Sequence, residues 1–182
     1  MKNSFLIIII TLILLSGISV SAQVNSTICP VDPDSKLITY KEVVEVPGKT
    51  GELFNRSIEW VNTQYKNPAE ATKVRNPATG LVEIIHRIEL TREEKGVIRP
   101  GGIVDYSMKI EMKDGRYRYT ITNFNYKDIS RKPIEFWMDK KDKTYTPEWD
   151  NYLKQVDDFT RKMIESLKQG MLPPAPKKVD EW

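Results

Sequence analysis

Cysteine and histidine are nearly absent from this chain, and their scarcity excludes several kinds of site. Cys29 is the only cysteine and His86 the only histidine in 182 residues. An intramolecular disulfide is therefore impossible, so Cys29 is either a free thiol or part of an intermolecular bond. A zinc site would need carboxylates for most of its ligands, which is unusual, and a catalytic imidazole needs a partner that the sequence does not nominate. We predict no metal and no cofactor, and we place His86 at the edge of the core.

An excess of charge of one sign is also missing. The formal net charge is +3, from 28 Lys and Arg against 25 Asp and Glu. Nucleic acids and acidic membranes attract concentrated positive charge, so this balance gives no electrostatic support for either partner. The paired carboxylates Glu93-Glu94 and Asp157-Asp158 fall in a predicted loop and on an outer helix face. These positions indicate solvated charge and not acid–base chemistry.

Long hydrophobic runs are limited to the N-terminus. Lys2 precedes an apolar stretch at 5–15, and small residues follow it as far as Ala22. This order is typical of a secretory signal peptide, and we predict cleavage after Ala22 and export to the periplasm or the medium. An uncleaved membrane anchor is the alternative, but a spanning helix needs about 20 apolar residues and this run is shorter.

The clearest pattern in the rest of the chain is a β-hairpin centred on Asp114-Gly115. Apolar and polar residues alternate on both sides of this pair. Asp-Gly favours the type I′ turn, because both central positions of that turn need positive φ. A two-residue loop pairs Met112 with Tyr117 and Glu111 with Arg118, so apolar side chains meet apolar ones and opposite charges meet.

The remaining segments complete a two-layer α+β fold. The predicted elements are, in order, a strand at 37–46, a helix at 50–66 capped by Thr50, strands at 71–76 and 81–90, the two strands of the hairpin, and a last helix that is capped by Thr146 and ends before Gly170. Strands that alternate apolar and polar residues indicate an antiparallel sheet with one covered face and one open face. Two amphipathic helices suffice to cover that one face. We therefore predict a five-stranded antiparallel sheet with both helices on one side, in the order β-α-β-β-β-β-α.

The domain organisation follows from these elements. We divide the chain into a signal peptide at 1–22, an extended leader at 23–36, the α+β domain at 37–170 and a proline-rich tail at 171–182. Two loops interrupt the domain, at 91–102 and at 127–146, and the second surrounds the apolar cluster Phe136-Trp137-Met138.

Three stretches of the predicted domain carry a resemblance to a known family. They are the run from Tyr40 to Gly48 (YKEVVEVPG), Trp60 in the following helix, and the run from Lys113 to Thr120 (KDGRYRYT) with Asn123-Phe124 after it. With the order of elements, they resemble a family of exported bacterial proteins classed as a domain of unknown function with a TATA-binding-protein-like (TBP-like) fold. The resemblance covers about residues 37–126, and the closing helix fits by order only. It implies the fold and brings no active site that could be transferred.

The open face of the sheet is the predicted binding surface. Its outward phase mixes apolar and basic side chains, as protein interfaces do. The candidate residues are Ile85, Arg87, Lys109, Arg118, Thr120 and Phe124. We predict a non-enzymatic binding module that docks an envelope protein, a peptide or a glycan on this face. Two arrangements stay open at this level, one with the face exposed and one with the loop at 127–146 covering it.

Three other functions are weighed against this prediction. The namesake of the fold binds DNA with its open sheet, but export and the interspersed Glu83 and Glu111 argue against nucleic acid. An envelope hydrolase with a site built from distant residues is the alternative function, and it predicts a deep pocket lined by titratable groups. A homodimer formed through the open face or the tail is a third hypothesis.

Overall fold

The computed structural model describes residues 27–127 and 130–174. The predicted signal peptide, the first residues of the predicted leader and most of the predicted tail lie outside the described residues. The elements are β1 (Tyr40–Glu45), α1 (Thr50–Gln64), α2 (Pro68–Ala71), β2 (Thr72–Asn76), β3 (Leu81–Glu94), β4 (Val97–Lys113), β5 (Arg116–Lys127), β6 (Arg131–Pro133), a short 3₁₀ helix (Ile134–Met138) and α3 (Pro147–Gly170). Within these two ranges, no helix is both long and apolar enough to cross a membrane.

The strands form one antiparallel sheet with two layers of structure. The order is β1-β5-β4-β3-β2, and the short β6 pairs with β5. The helices α1 and α3 pack on one face, where Leu53, Val61 and Val156 are fully buried with the inward side chains of the strands. The other face of the sheet is exposed to solvent. The predicted α+β class and its two-layer arrangement are confirmed, with β6 as an additional short strand.

The hairpin of β4 and β5 has the predicted register. Met112 lies opposite Tyr117, and Glu111 lies opposite Arg118. Gly115 has a φ of 76°, but Asp114 is not among the described residues with positive φ, so the turn is not the predicted type I′, which needs positive φ at both central positions. Local turn chemistry and alternation therefore suffice to place these two strands.

The same turn holds the N-terminus of α1. Thr50 donates to Asp114 from its backbone N–H and from its hydroxyl, both at 2.9 Å, and the Lys49 ammonium lies 3.1 Å from the carboxylate. Thr50, the predicted cap, is instead the first helical residue, and Lys49 takes the capping position. The Glu52 carboxylate accepts the Lys49 backbone N–H at 3.0 Å. The hairpin and the helix thus share one carboxylate across 64 residues of sequence.

The contact of Asp114 with Thr50 and Lys49 can be tested through the dependence of stability on pH. The hydrogen bonds from Thr50, together with the Lys49 ammonium, lower the pKa of Asp114 from 3.8 to about 2. A carboxyl whose pKa is lowered on folding stabilises the fold above its unfolded pKa, and this stabilisation is lost as the pH falls through the folded value. The variant Asp114→Asn removes the charge and keeps a residue that suits the turn.

We expect the urea midpoint of the unsubstituted protein to fall more steeply than that of Asp114→Asn between about pH 5 and pH 2. Equilibrium urea unfolding at several pH values measures both midpoints. Glu93→Gln, which removes an exposed charge elsewhere, should follow the unsubstituted protein. Parallel curves for the protein and Asp114→Asn would contradict the contact.

The prediction of a loop at 91–102 is wrong, because β3 and β4 continue through it as a long hairpin. The turn is at Lys95-Gly96, where φ is 54° and 79°. Residues 91–100 are exposed throughout, so neither face of this ribbon is buried and no alternation marks it as a strand. Pro100 lies opposite Thr91 and fits because the backbone groups of Thr91 point away from β4, towards the Gln155 side chain.

The segment predicted as a loop at 127–146 packs on the covered side of the sheet. Trp137 lies between β5 and α3, with its ring centroid 5.3 Å from that of Tyr126 and 5.5 Å from that of Tyr152. Trp137 and Ile134 are buried. The apolar cluster Phe136-Trp137-Met138 therefore does not cover the open face, and the arrangement in which it does is wrong.

The described part of the predicted leader, residues 27–36, packs against the domain. Cys29 is fully buried, and its Sγ lies 3.4 Å from the carbonyl oxygen of Leu153. Val31 and Ile38 form an isolated antiparallel bridge. Burial raises the pKa of the Cys29 thiol to about 11, so this thiol is protonated at neutral pH and serves as a small core side chain.

Candidate binding surface on the open sheet face

Phe124 does not lie on the open face, so this part of the site prediction is wrong. Its side chain is only 1% exposed and lies in the core. The ring packs edge-on against Tyr40, with centroids 6.0 Å apart, and lies 6.1 Å from the ring of Tyr106. Phe124 therefore contributes to stability and is not available to a partner.

A β-bulge in β5 is the cause of this inversion. The pairing of β4 with β5 shifts by one residue between Asp105 and Ser107, so that Asn123 and Phe124 together oppose Tyr106. Asn123 has a φ of 58°, which asparagine tolerates better than most residues. One extra residue reverses the alternation of side chains beyond it. Residues of β5 before the bulge keep the predicted phase, and residues after it do not.

The other five predicted residues, Ile85, Arg87, Lys109, Arg118 and Thr120, lie on the open face. The strand register arranges four of them in three rows that cross the sheet, and Arg87 lies beyond the third row. Each row takes one side chain from each of several neighbouring strands.

The first row contains an ion pair between two apolar ends. Arg118 donates from Nε and Nη2 to the two carboxylate oxygens of Glu111, at 2.9 and 2.8 Å. Val43 of β1 lies beside Arg118, and Leu81 of β3 lies beside Glu111. Val43 is 53% exposed and lines a depression of about 340 Å³ together with Arg118 and Lys113. This depression can accept an apolar side chain beside a held guanidinium.

The second row is charged, with a hydroxyl at its centre. Thr120 lies between Lys109 of β4 and Lys41 of β1. The Lys109 ammonium lies 3.0 Å from Glu83 of β3. Lys41 was not among the predicted residues, although it has the outward phase of β1.

The third row is made of hydroxyl groups and ends in an exposed apolar side chain. The hydroxyls of Thr39 and Thr122 lie 3.1 Å apart, and Ser107 donates to the carbonyl oxygen of Thr122 at 3.2 Å. Ile85 lies opposite Ser107 and is 47% exposed. Arg87 follows Ile85 on β3, opposite Asp105, which forms an ion pair with Arg131 at 3.1 Å.

Charges of opposite sign therefore alternate over the open face. The ion pairs on this face are Glu83–Lys109, Glu111–Arg118, Glu45–Arg116 and Asp105–Arg131. Basic side chains that are already paired neither form a continuous positive stripe nor release many counterions on meeting a polyanion. Electrostatically, the surface suits a partner of mixed charge.

A second polar cluster lies away from this face, between β1 and α3. The Glu42 carboxylate accepts a hydrogen bond from the Tyr119 hydroxyl and contacts the Lys168 ammonium, both at 2.7 Å. The hydrogen bond from Lys168 and the one from Tyr119 lower the pKa of Glu42. A carboxyl stabilised in this way is a poor proton donor at neutral pH.

The same direction holds for other carboxyl groups. The described carboxyls with a clearly shifted pKa are all shifted downward, and they are Asp32, Glu42, Asp114, Asp142, Asp150 and Asp158. General acid catalysis by a carboxyl at neutral pH needs a shift in the other direction. These groups are therefore ionised at neutral pH and are poor general acids.

Comparison with known proteins gives the family of the domain. Residues 40–127, from β1 through β5, match a family described as a domain of unknown function (DUF4468) with TBP-like fold. The matched stretch is just under half of the chain. The recognition made from the runs at 40–48 and 113–120 is thereby confirmed.

Two solved structures are similar to the whole fold. A TBP-like protein from Parabacteroides distasonis superposes with a TM-score of 0.63 at 16% identity, over 80% of this chain and 97% of that one. A DUF4468 family protein from Bacteroides ovatus superposes with a TM-score of 0.63 at 13% identity, over 84% of this chain and 95% of that one. At these identities the likeness shows the TBP-like fold alone. No curated protein matches the sequence.

Proposed function

We propose that this chain is an exported, non-enzymatic binding module that docks a folded protein partner on the open face of its TBP-like sheet. The observation that carries the proposal is the exposure of Val43 and Ile85 on a face that the described segment after β5 leaves uncovered. Apolar patches rimmed by polar residues mark many interaction sites, and Val43 and Ile85 supply apolar contacts on this polar face. Export rests on the charged, apolar and small-residue order of residues 1–22.

The pattern of charge favours a protein over the other partners considered. Arg118 is held in place by Glu111, and Lys109 by Glu83, so these cations are pre-oriented and their charge is balanced. Interfaces between proteins combine apolar side chains with arginine and other polar groups, and this face presents Val43 and Ile85 beside Arg118. A nucleic acid would require unbalanced positive charge.

The hydrolase alternative receives less support from the geometry. The Glu42 cluster has the proximity of charged groups that catalysis needs, but hydrogen bonds from Lys168 and Tyr119 keep the carboxylate ionised. The Cys29 thiol, a candidate nucleophile by residue type, is buried with a raised pKa. Activated cysteines have a lowered pKa and an exposed sulfur.

Affinity capture from an envelope extract tests the proposal with two matched variants. Ile85→Glu/Arg118→Ala changes the open face, and Leu172→Glu/Lys162→Ala makes the same chemical changes at exposed positions near and on α3. We expect the first variant to lose a partner that the unsubstituted chain and the second variant retain, with affinity at least about tenfold weaker.

Circular dichroism should report the same fold for all three proteins, because the changed side chains are exposed or half-exposed. A partner retained by both variants would contradict the open face as the docking surface. Equal loss in both variants would also contradict it, since that result would place the interface elsewhere.

A further inference from the structure

One edge of the sheet lacks a neighbouring strand. β2 pairs with β3 only as far as the Thr72–Ile84 pair, and the chain before Thr72 turns away from the sheet as α2. Residues 85–90 of β3 therefore have β4 on one side and no described strand on the other. Six residues of strand present an edge about 20 Å long.

The direction of the backbone groups along this edge follows from one contact. The backbone N–H of Thr91 donates to Gln155 Oε1 at 2.9 Å, and Gln155 Nε2 donates to the Thr91 carbonyl at 2.8 Å. Both groups of Thr91 thus point away from β4. Because this direction alternates along a strand, the backbone groups of Glu89 and Arg87 point to the same open side. No described residue forms a hydrogen bond with them on that side.

The contact of Gln155 also shows what this edge accepts. A side-chain amide gives one donor and one acceptor to Thr91, which is the arrangement that a residue of an added strand would give. The Gln155 side chain therefore forms with Thr91 the two hydrogen bonds that a neighbouring strand would form. The two outward positions before Thr91, Glu89 and Arg87, remain open.

A groove runs along the open edge. Its volume is about 610 Å³, and its lining includes Lys66 and Asn67 from the connection between α1 and α2, and Glu70 of α2. An aromatic wall of the groove contains His86 and Phe159. An extended segment in this groove would place one set of side chains against the aromatic wall and would present its backbone to β3.

The charge of the groove indicates the chemistry of its occupant. Five basic side chains line it, at Lys66, Lys73, Arg87, Lys127 and Arg131, against three acidic ones, at Glu70, Glu89 and Asp105. Arg131 and Asp105 neutralise each other at 3.1 Å. Four cations then face two anions. An acidic segment is electrostatically complementary to this groove, and a basic one is not.

We propose that this groove binds an extended, acidic segment of a partner protein, which adds as a strand to the edge of β3. Its backbone pairs with Arg87 and Glu89, and its acidic side chains lie beside Arg87 and Lys66. The groove adjoins the third row, because Ile85 belongs to that row and also lines the groove, but strand addition at Arg87 and Glu89 does not depend on docking at Lys109 or Arg118.

Fluorescence anisotropy with a labelled acetyl-(Val-Glu)₄-amide peptide tests the proposal on the purified chain. We expect saturable binding of this peptide and no binding of the (Val-Lys)₄ counterpart. A (Val-Glu)₄ peptide with alternate backbone amides methylated should bind at least about tenfold more weakly, because it loses its strand hydrogen bonds. Equal binding of the methylated peptide, or no binding of (Val-Glu)₄ up to about 1 mM, would overturn the proposal.

Matched charge reversals locate the site. Lys66→Glu/Arg87→Glu should weaken (Val-Glu)₄ binding at least about tenfold, whereas Lys113→Glu/Arg116→Glu, at the β4–β5 turn, should have little effect. The backbone amides of Arg87 and Glu89 should gain protection from hydrogen exchange when the peptide binds. Equal effects of the two reversals, or unchanged exchange at both amides, would exclude this edge.

The proposal of a partner segment would be contradicted if the groove were filled by another part of this chain or by a second copy of it. If residues 175–182 of the chain itself filled the groove, their deletion would increase peptide affinity and expose the two amides. If a second copy filled it, the peptide would dissociate a dimer in sedimentation experiments. The proposal predicts unchanged affinity after the deletion and a monomer with or without peptide.

Discussion

Replacing Phe124 by alanine is expected to lower the free energy of unfolding by about 3–5 kcal/mol, the usual cost of removing a fully buried aromatic ring. Phe124 is 1% exposed and packs against Tyr40 and Tyr106, so its loss leaves a cavity between β1 and β4. Urea unfolding followed by tryptophan fluorescence measures the change. The same position would be nearly neutral if β5 continued without a bulge.

Ile85→Ala is the matched control for this result. Ile85 is an apolar residue on β3 of the same sheet, 47% exposed on the open face. Its truncation should cost less than about 1 kcal/mol, because surface substitutions rarely cost more. Similar costs for Phe124→Ala and Ile85→Ala would contradict the assignment of these two residues to opposite faces.

The second large effect is expected for Gly102→Ala. Gly102 has a φ of 123°, and an added Cβ would come closer than 3.0 Å to three atoms of the Tyr126 side chain. Tyr126 cannot move away easily, because its ring packs edge-on against Trp137. Backbone strain of about 1–3 kcal/mol and overpacking of a similar size should together cost about 3 kcal/mol or more.

Gly96→Ala separates the two causes. Gly96 also has a positive φ, of 79°, but an added Cβ there would have no neighbour within 4 Å. We expect this variant to lose only about 1 kcal/mol, from the backbone alone. If thermal or urea unfolding gave the same loss for Gly96→Ala and Gly102→Ala, the close packing of Tyr126 over Gly102 would be refuted.

Local signals in the sequence account for much of the fold. The β4–β5 hairpin followed from Asp114-Gly115 and from alternation, since turn chemistry and one buried face both act within a few residues. The long helix α3 followed from its capping position at Thr146, from Pro147 and from its apolar stripe. The residues within these elements are sufficient to predict them.

Alternation failed where the backbone departs from a regular strand. Asn123 and Gly101 each mark an irregularity in the pairing of β4. The alternation of inward and outward side chains has a period of two residues, so it does not predict the extra residue of a bulge. The residue types gave a signal, because Asn tolerates positive φ and Gly-Gly at 101–102 permits close approach. The exposed ribbon at 91–100 was missed for another reason, since it buries neither face.

The candidate surface was predictable only where it lies on regular strands. Ile85, Lys109 and Arg118 lie on the predicted open face because their strands pair regularly around those positions. Their pairing with specific acids depends on which strands are neighbours. The groove beside Arg87 depends on where β2 begins, and tertiary structure decides this point.

The similarity to two solved structures, at 16% and 13% identity, extends the fold to this chain and leaves the surface to be tested in the protein itself. A TBP-like sheet with one free face is a scaffold, and its function depends on the side chains that it presents. On this chain these are paired charges, hydroxyls and two exposed apolar residues, Val43 and Ile85.

Site-specific photocrosslinking tests the open face most directly. A photoreactive phenylalanine derivative would replace Ile85 or Lys109 on the open face, and Lys162 or Leu172 on the helix side, in cells that export the protein. The account predicts a crosslinked partner of one mass from positions 85 and 109, and none from positions 162 and 172. Adducts from the helix side alone would contradict the open sheet face as the binding surface.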